Sequence, residues 1–372
     1  MKSFAAVIAL LVATGVQAAA NPLTSQQIAA IDRIAAQALA KQHVSGIEIG
    51  VGRRGAVLYA RGYGLRDRAA NLPVTAATVF PVGSITKQFT AACVMLLVQR
   101  GKLDLGARVS AYLPDAPHAS DTTVRELLDQ TSGLPDYLED KALLASILAG
   151  KAGPDSVEHL VRLVAGKALH FRPGTKWEYS NTNYALLGLL VERVSGMPFG
   201  RFLQTQILGP AGMGASQYLR WSVPEGSDAT RGYGWSKQRF VLLPKFSMDW
   251  GNAAGALASN VRDLIDWDGA YFSGRVVSPQ SVRISTTPPA RVVMVASKHP
   301  ENNLGIGYAF GWVQGRDEGR RLIWHNGGLP GARAMNAVFA RDGLEIVVLT
   351  NAYEADPEGT ALRIARAIYD AR

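Results

Sequence analysis

The feature that most restricts the fold is a series of strand-like segments near the end of the chain, spaced too closely to be anything but a meander. Tyr308 to Val313, Arg321 to His325, Ala334 to Phe339 and Leu344 to Leu349 are separated by turn sequences at Gly315-Arg316-Asp317, Gly327-Gly328 and Arg341-Asp342-Gly343. Parallel neighbours need a crossover of about a dozen residues or more, so these strands are antiparallel. A hairpin near the other end, Ile47 to Val51 and Ala56 to Arg61 around Arg53-Arg54-Gly55, has the same character. Helical periodicity flanks both groups, over Thr24 to Gln42, which opens with the capping pair Thr24 and Gln27, and over Asp356 to Tyr369. From about Leu103 to Arg283 the pattern is largely helical, with loops rich in Gly and Pro. The expected fold is α/β in the α+β sense. It is one antiparallel sheet built from both chain ends, flanked by the terminal helices, plus an inserted mainly helical lobe. The sheet lobe takes about 21–100 and 284–372, the helical lobe about 101–283, and an active cleft is expected where they meet.

The first residues read as a leader rather than as part of this fold. Met1-Lys2-Ser3 precedes a nearly continuous apolar stretch from Phe4 to Val12, and Val16 to Ala20 offers small residues for cleavage. That is the pattern of a secretory signal peptide over residues 1–20, so a periplasmic or secreted protein is expected. The stretch is short for a membrane span, and Cys93 lies far from the cleavage site, so no membrane anchor is expected. A single cysteine excludes an internal disulfide. The formal charge is +9, but Lys and Arg are scattered and no basic helix or nucleic-acid module appears, so nucleic acid is not an expected partner. The six histidines show no His-x-His or His-Glu-x-x-His spacing, and no phosphate-binding or dinucleotide loop is present. Neither a metal nor any other cofactor is expected.

Chemistry is concentrated in three places. In Val82-Gly83-Ser84-Ile85-Thr86-Lys87-Gln88-Phe89, an amine stands three residues after a hydroxyl, on the same face of a helix. A buried apolar rod from Phe89 to Val98 continues it, so Ser84 is expected where that helix begins and where partial positive charge favours an oxyanion. The same spacing also suits an ordinary N-cap serine and a surface lysine. The second place is Tyr179-Ser180-Asn181, in a loop entering a helix. There the Tyr179 phenol, turned toward phenolate by the Lys87 ammonium, would relay protons, and the Asn181 amide would bond substrate. The third is Trp324-His325-Asn326-Gly327-Gly328, read as a strand end entering a Gly-rich bend. His325 would orient or charge the site, Gly327 would let substrate approach, and the Gly328 N–H would join that of Ser84 as an oxyanion hole.

Taken together, Ser-x-x-Lys, Tyr-x-Asn and His-x-Gly occur in the order seen in serine β-lactamases and D,D-peptidases, the penicillin-binding enzymes. The chain most resembles the class C branch, with its D-stereospecific peptidases and Ser-x-x-Lys carboxylesterases. Leu127 to Pro135, Tyr179 to Leu190 and Ala254 to Leu264 also look like blocks of that family. The resemblance implies a serine acyl hydrolase with Ser84, Lys87 and Tyr179 catalytic and Asn181, His325, Gly327 and Gly328 binding substrate or oxyanion. Which of Lys87 and Tyr179 is the base is left open by the sequence, as is the oligomeric state. The third motif departs from the class C β-lactamases, which have lysine where this chain has His325, and an unperturbed histidine is mostly neutral at pH 7. The expected substrate is therefore a D-amino-acid peptide of peptidoglycan type or a small ester. A class C-type β-lactamase is the alternative, and a non-catalytic cell-wall-peptide or penicillin-binding protein is the alternative of another class.

Overall fold

In the computed structural model the strands from the two ends of the chain join in one sheet. The structure describes residues 22–151, 156–218, 228–245, 247–290 and 307–371, so the expected leader at 1–20 lies outside the described residues. The eight strands are β1 (Gly46–Arg53), β2 (Ala56–Asp67), β3 (Leu72–Pro73), β4 (Gly307–Ala309), β5 (Trp312–Asp317), β6 (Arg320–Leu329), β7 (Ala332–Phe339) and β8 (Leu344–Thr350). They lie in the order β3-β2-β1-β8-β7-β6-β5-β4. Every pairing is antiparallel, including β1 against β8, which ties the two chain ends together.

Alternation along the strands builds two cores. Ile47, Ile49 and Val51 of β1, with Ile346 and Val348 of β8, face helices α1 (Ser25–Lys41) and α6 (Pro357–Asp370). Each fully buried aliphatic side chain there contributes roughly 2 kcal/mol. On the opposite face, Val347 and Leu349 join the larger core with α2 (Thr86–Gln99) and α3 (Asn181–Ser195). α5 (Val261–Phe272) also packs on this face, against β1, β2 and β8, although the sequence placed it in the helical lobe. Gly50 makes that approach possible, since a Cβ there would stand 2.7 Å from the Val261 Cβ. The capping pair expected at Thr24 and Gln27 is formed, and Thr123 with Glu126 makes a second one.

Three turns fall elsewhere than the sequence suggested. Tyr308 to Val313 is not one strand but the tip of the β4–β5 hairpin, reversed by Phe310 and Gly311 at φ +49° and +81°. The next reversal is at Glu318-Gly319, so Gly315, Arg316 and Asp317 belong to β5. The Gly-rich bend expected at Gly327-Gly328 is not a bend. Both glycines pair with β7, and the chain turns at Pro330-Gly331. Glycine signalled a turn at 315 and at 327–328 and was passed over at 311, and at 327 its missing side chain serves close backbone packing instead.

Candidate active site

Ser84 lies in the 3-10 turn Gly83–Ile85, which leads directly into α2. The serine is thus one turn ahead of the α-helix proper rather than its N-cap. Lys87 is the only charged residue of α2 and has no exposed surface. Its Nζ lies 3.1 Å from Ser84 Oγ, 2.8 Å from Asn181 Oδ1 and 2.7 Å from the Ala254 carbonyl. The Asn181 oxygen can only accept, and its orientation is fixed because Nδ2 donates to Asp136 Oδ2 at 2.8 Å. The Ala254 carbonyl likewise only accepts. These two take two N–H bonds, leaving the third position of Nζ facing the serine, where an ammonium donates and a neutral amine accepts. Burial pulls the Lys87 pKa down to about 7, against a smaller upward pull from the Asp136 carboxylate.

Local contacts hold the lysine's acceptors in place. Ala254 belongs to α4 (Asn252–Gly255), which is tied to α2 where Thr90 Oγ1 donates to the Ala253 carbonyl at 2.6 Å. Just beyond, the Leu257 N–H donates to Thr86 Oγ1 at 3.1 Å. Asn181 opens α3, and Asp136 caps that helix from another segment by accepting the Asn181 N–H at 3.0 Å. Gln130 fastens the same loop by accepting the Ser180 N–H at 3.1 Å. The sequence showed Leu127 to Pro135 and Ala254 to Leu264 only as family-like blocks. Asp136 and Ala254 were missed as contributors because nothing local announces a contact across such a separation.

Tyr179 donates its hydroxyl hydrogen to Ser84 Oγ at 2.7 Å, and Lys87 Nζ stands 4.7 Å from the centre of its ring. Burial, with Tyr308 nearby, pushes its pKa well above the usual phenol value. The expectation of a phenolate is therefore corrected: the phenol keeps its proton and the lysine loses its own more readily. The Asn181 amide is engaged by Lys87 at its oxygen and by Asp136 at one N–H, while an amide nitrogen carries a second N–H donor.

His325 is buried at 2% exposure, and its Nδ1–H donates to the Asn326 carbonyl at 2.6 Å, which leaves Nε2 as the acceptor. Burial, and then Lys87, pull its pKa down to about 3. Of the two roles expected, orienting or charging the site, a neutral imidazole fits the first. Its ring packs near Tyr179 and Tyr308.

Gly327 and Gly328 meet the Ser84 turn along the free edge of β6, beyond the last residue that β5 covers, Trp324. A Cβ on Gly327 would lie 1.8 Å from the Val82 carbonyl oxygen and 3.2 Å from the Ser84 nitrogen. Only glycine permits that approach. The two-residue turn makes Leu329 and Ala332 a hydrogen-bonded pair, so at the next pair, Gly328 and Arg333, the N–H groups point away from each other. The Gly328 N–H thus faces the side where Gly83 lies, and a Cβ on Gly83 would be 2.8 Å from that nitrogen. The Ser84 and Gly328 nitrogens, expected to form an oxyanion hole, thus belong to two backbone segments in close approach.

Away from this cleft, His170 pairs with Glu178 at 2.6 Å and Glu139 at 3.8 Å. These ligand-type atoms lie within 4.8 Å of one another at the surface, a grouping that the sequence spacing of the histidines does not reveal. Among the described residues no helix is long and apolar enough to cross a membrane.

Comparison with known proteins agrees with the geometry. Penicillin-binding protein 4* of Bacillus subtilis is 30% identical over 81% of this chain, which spans 66% of that relative's length, just under two thirds. The octameric penicillin-binding protein homologue from Pyrococcus abyssi superposes with a TM-score of 0.82 at 28% identity, covering 93% of this chain and 78% of the other. The D-amino acid amidase from Ochrobactrum anthropi SV3, complexed with L-phenylalanine, gives 0.79 at 25% identity, over 94% of this chain and all of the amidase. A family model described as Beta-lactamase matches residues 31–371. The chain belongs to the β-lactamase family, and its site is built as that of a serine hydrolase.

Proposed function

We propose that this protein is an exported serine acyl hydrolase that works through a Ser84 acyl-enzyme on D-amino-acid peptides or small esters. The observation that carries the reading is a single hydroxyl, Ser84 Oγ, held between a fully buried lysine and a protonated tyrosine. Lys87, poised near neutrality, takes the serine proton as Oγ bonds to the substrate carbonyl carbon. The negative oxygen is received by the Ser84 and Gly328 N–H groups. As the tetrahedral intermediate collapses, the leaving group departs with a proton from Tyr179, which regains one from the Lys87 ammonium. Water then attacks the acyl carbon and gives its proton to the same amine, and the Lys87 ammonium returns that proton to Ser84 Oγ as the ester C–O bond breaks, freeing the acid and restoring the serine.

The likeness to a D-amino acid amidase supports the D-configured substrate. The neutral His325 speaks against efficient β-lactam turnover, since a β-lactam carboxylate finds no cation there. Export rests on the leader sequence at residues 1–20; N-terminal sequencing of exported protein should begin at Asn21, and an unprocessed start would refute export. A panel of a short-chain aryl ester, a D-alanyl dipeptide and a chromogenic cephalosporin tests the substrate class. Multiple turnover of the first two, with slow stoichiometric acylation by the third, is expected. Fast cephalosporin turnover would make the protein a β-lactamase, and binding of cell-wall peptide without any turnover would make it a receptor.

A further inference from the structure

We propose that Asp136 is a positioning residue that sets the pH at which Ser84 becomes reactive, acting on Lys87 through the Asn181 side chain. The inference rests on the acyl-hydrolase reading of the Ser84 site and deepens it.

Asp136 is built in as an anion. Its Oδ2 accepts the Asn181 backbone N–H at 3.0 Å and Asn181 Nδ2 at 2.8 Å, and its Oδ1 accepts the Leu138 N–H at 2.9 Å. These three donors favour the charged form, against a burial that pushes the carboxyl pKa up. Among the described residues, Lys87 is the one cation whose charge acts on it. The two charges do not touch, because one amide stands between them. Asn181 Oδ1 accepts from Lys87 Nζ at 2.8 Å while Asn181 Nδ2 donates to Asp136. The carboxylate polarises that amide, so its oxygen becomes a stronger acceptor for an ammonium.

The spacing suits a general base. A carboxylate in direct contact would hold the ammonium and leave no base, whereas burial with no counter-charge would leave an amine too weakly basic to take a serine proton. The other ionisable groups facing Lys87 among the described residues are neutral. Tyr179 and Tyr184, whose rings lie 4.7 and 5.5 Å from Nζ, keep their protons, and burial keeps the His325 imidazole on β6 uncharged. α2 has no second charged residue, and α4 contributes a backbone carbonyl. Beside Asp136, Tyr137 donates to the Trp250 carbonyl at 2.6 Å and stays protonated. Glu139 accepts the Asp136 N–H at 3.1 Å, but it is exposed and screened by water. One fixed negative charge is thus coupled through one amide to one titrating amine.

The test is the pH dependence of Ser84 labelling by a neutral fluorophosphonate in wild type, in Asp136→Asn, and in the exchange that combines Asp136→Asn with Asn181→Asp. The readout is the midpoint pH of the labelling rate after subtraction of the Ser84→Ala blank. Loss of folded protein lowers the amount labelled without moving that midpoint. Asp136→Asn should lower the midpoint by about one pH unit, because the amine gives up its proton more easily without the anion. The exchange keeps the same two side-chain types and the same net charge but sets the carboxylate against the amine. It should raise the midpoint above that of wild type, and it decides the case alone where Asp136→Asn fails to fold. No labelling of wild type would end the serine-hydrolase reading. Labelling with a midpoint that neither variant moves, or that both move in one direction, would overturn the role of Asp136 alone.

Discussion

Lys87 is a charged side chain where charge is expensive, and that expense is the source of its reactivity. Its pKa near 7 in the folded chain lies below the value of a solvated lysine, so between about pH 7 and 10 the unfolded chain binds more protons. Stability from this group therefore rises with pH across that window and is lowest below it. Lys87→Met should stabilise the fold by about 1–3 kcal/mol at pH 6, the gain from removing a buried charge being partly offset by unpaired acceptors on Asn181 and Ala254. The gain should be smaller at pH 9, as urea denaturation at the two pH values would show, while the variant loses Ser84 acylation. A variant less stable than wild type at pH 6 would mean that the amine is not strained. At this scale the sequence was legible for Ser84, Lys87 and Tyr179, whose side chains do converge. It was not legible for charge states: the neutral His325 and the protonated Tyr179 come from burial, which depends on residues distant in the chain.

At the scale of elements, the site is a junction between the start of α2 and the free edge of β6. The sequence indicated both elements and their order, because apolar periodicity survives without knowledge of partners. It misplaced the turns, reading Gly327-Gly328 as a bend when the reversal lies at Pro330-Gly331. A glycine required by a neighbouring backbone looks the same in sequence as one required by a turn. Gly327→Ala is the corresponding experiment. Its methyl would meet the Val82 carbonyl, forcing β6 and the Ser84 turn apart and separating the two oxyanion donors. Acylation should fall about a hundredfold or more, with stability lower by roughly 1–3 kcal/mol. Wild-type rates in a stable variant would show that the close approach has no catalytic consequence.

The whole molecule depends on a helix packed over polar ground. Asp268 of α5 is fully buried, accepts from Asn336 at 3.0 Å, and neighbours Glu345 of β8, so burial raises both carboxyls far above their usual range. Such groups hold protons in the fold that the unfolded chain releases. Their stabilising contribution is complete below about pH 4 and is lost as pH rises toward 8 to 9. Asp268→Asn keeps the hydrogen bond without the titration, so its advantage over wild type should grow between pH 5 and 8, by up to about 1.4 kcal/mol per pH unit. Equal pH dependence in the two proteins would contradict a protonated Asp268. The antiparallel sheet and terminal helices were legible from segment spacing. The placement of α5 on the sheet was not, because Gly50 and Gly52, which admit it, leave no periodic signal.

The most direct test of the central claim, that Ser84 is activated by a buried, near-neutral Lys87, is the rate of Ser84 acylation by an aryl ester or penicillin, followed by intact mass from pH 5 to 9. The rate should rise through about pH 7 and level off, with the adduct on Ser84 and none in Ser84→Ala. A rate already at its plateau at pH 5, or an adduct on another residue, would contradict the account.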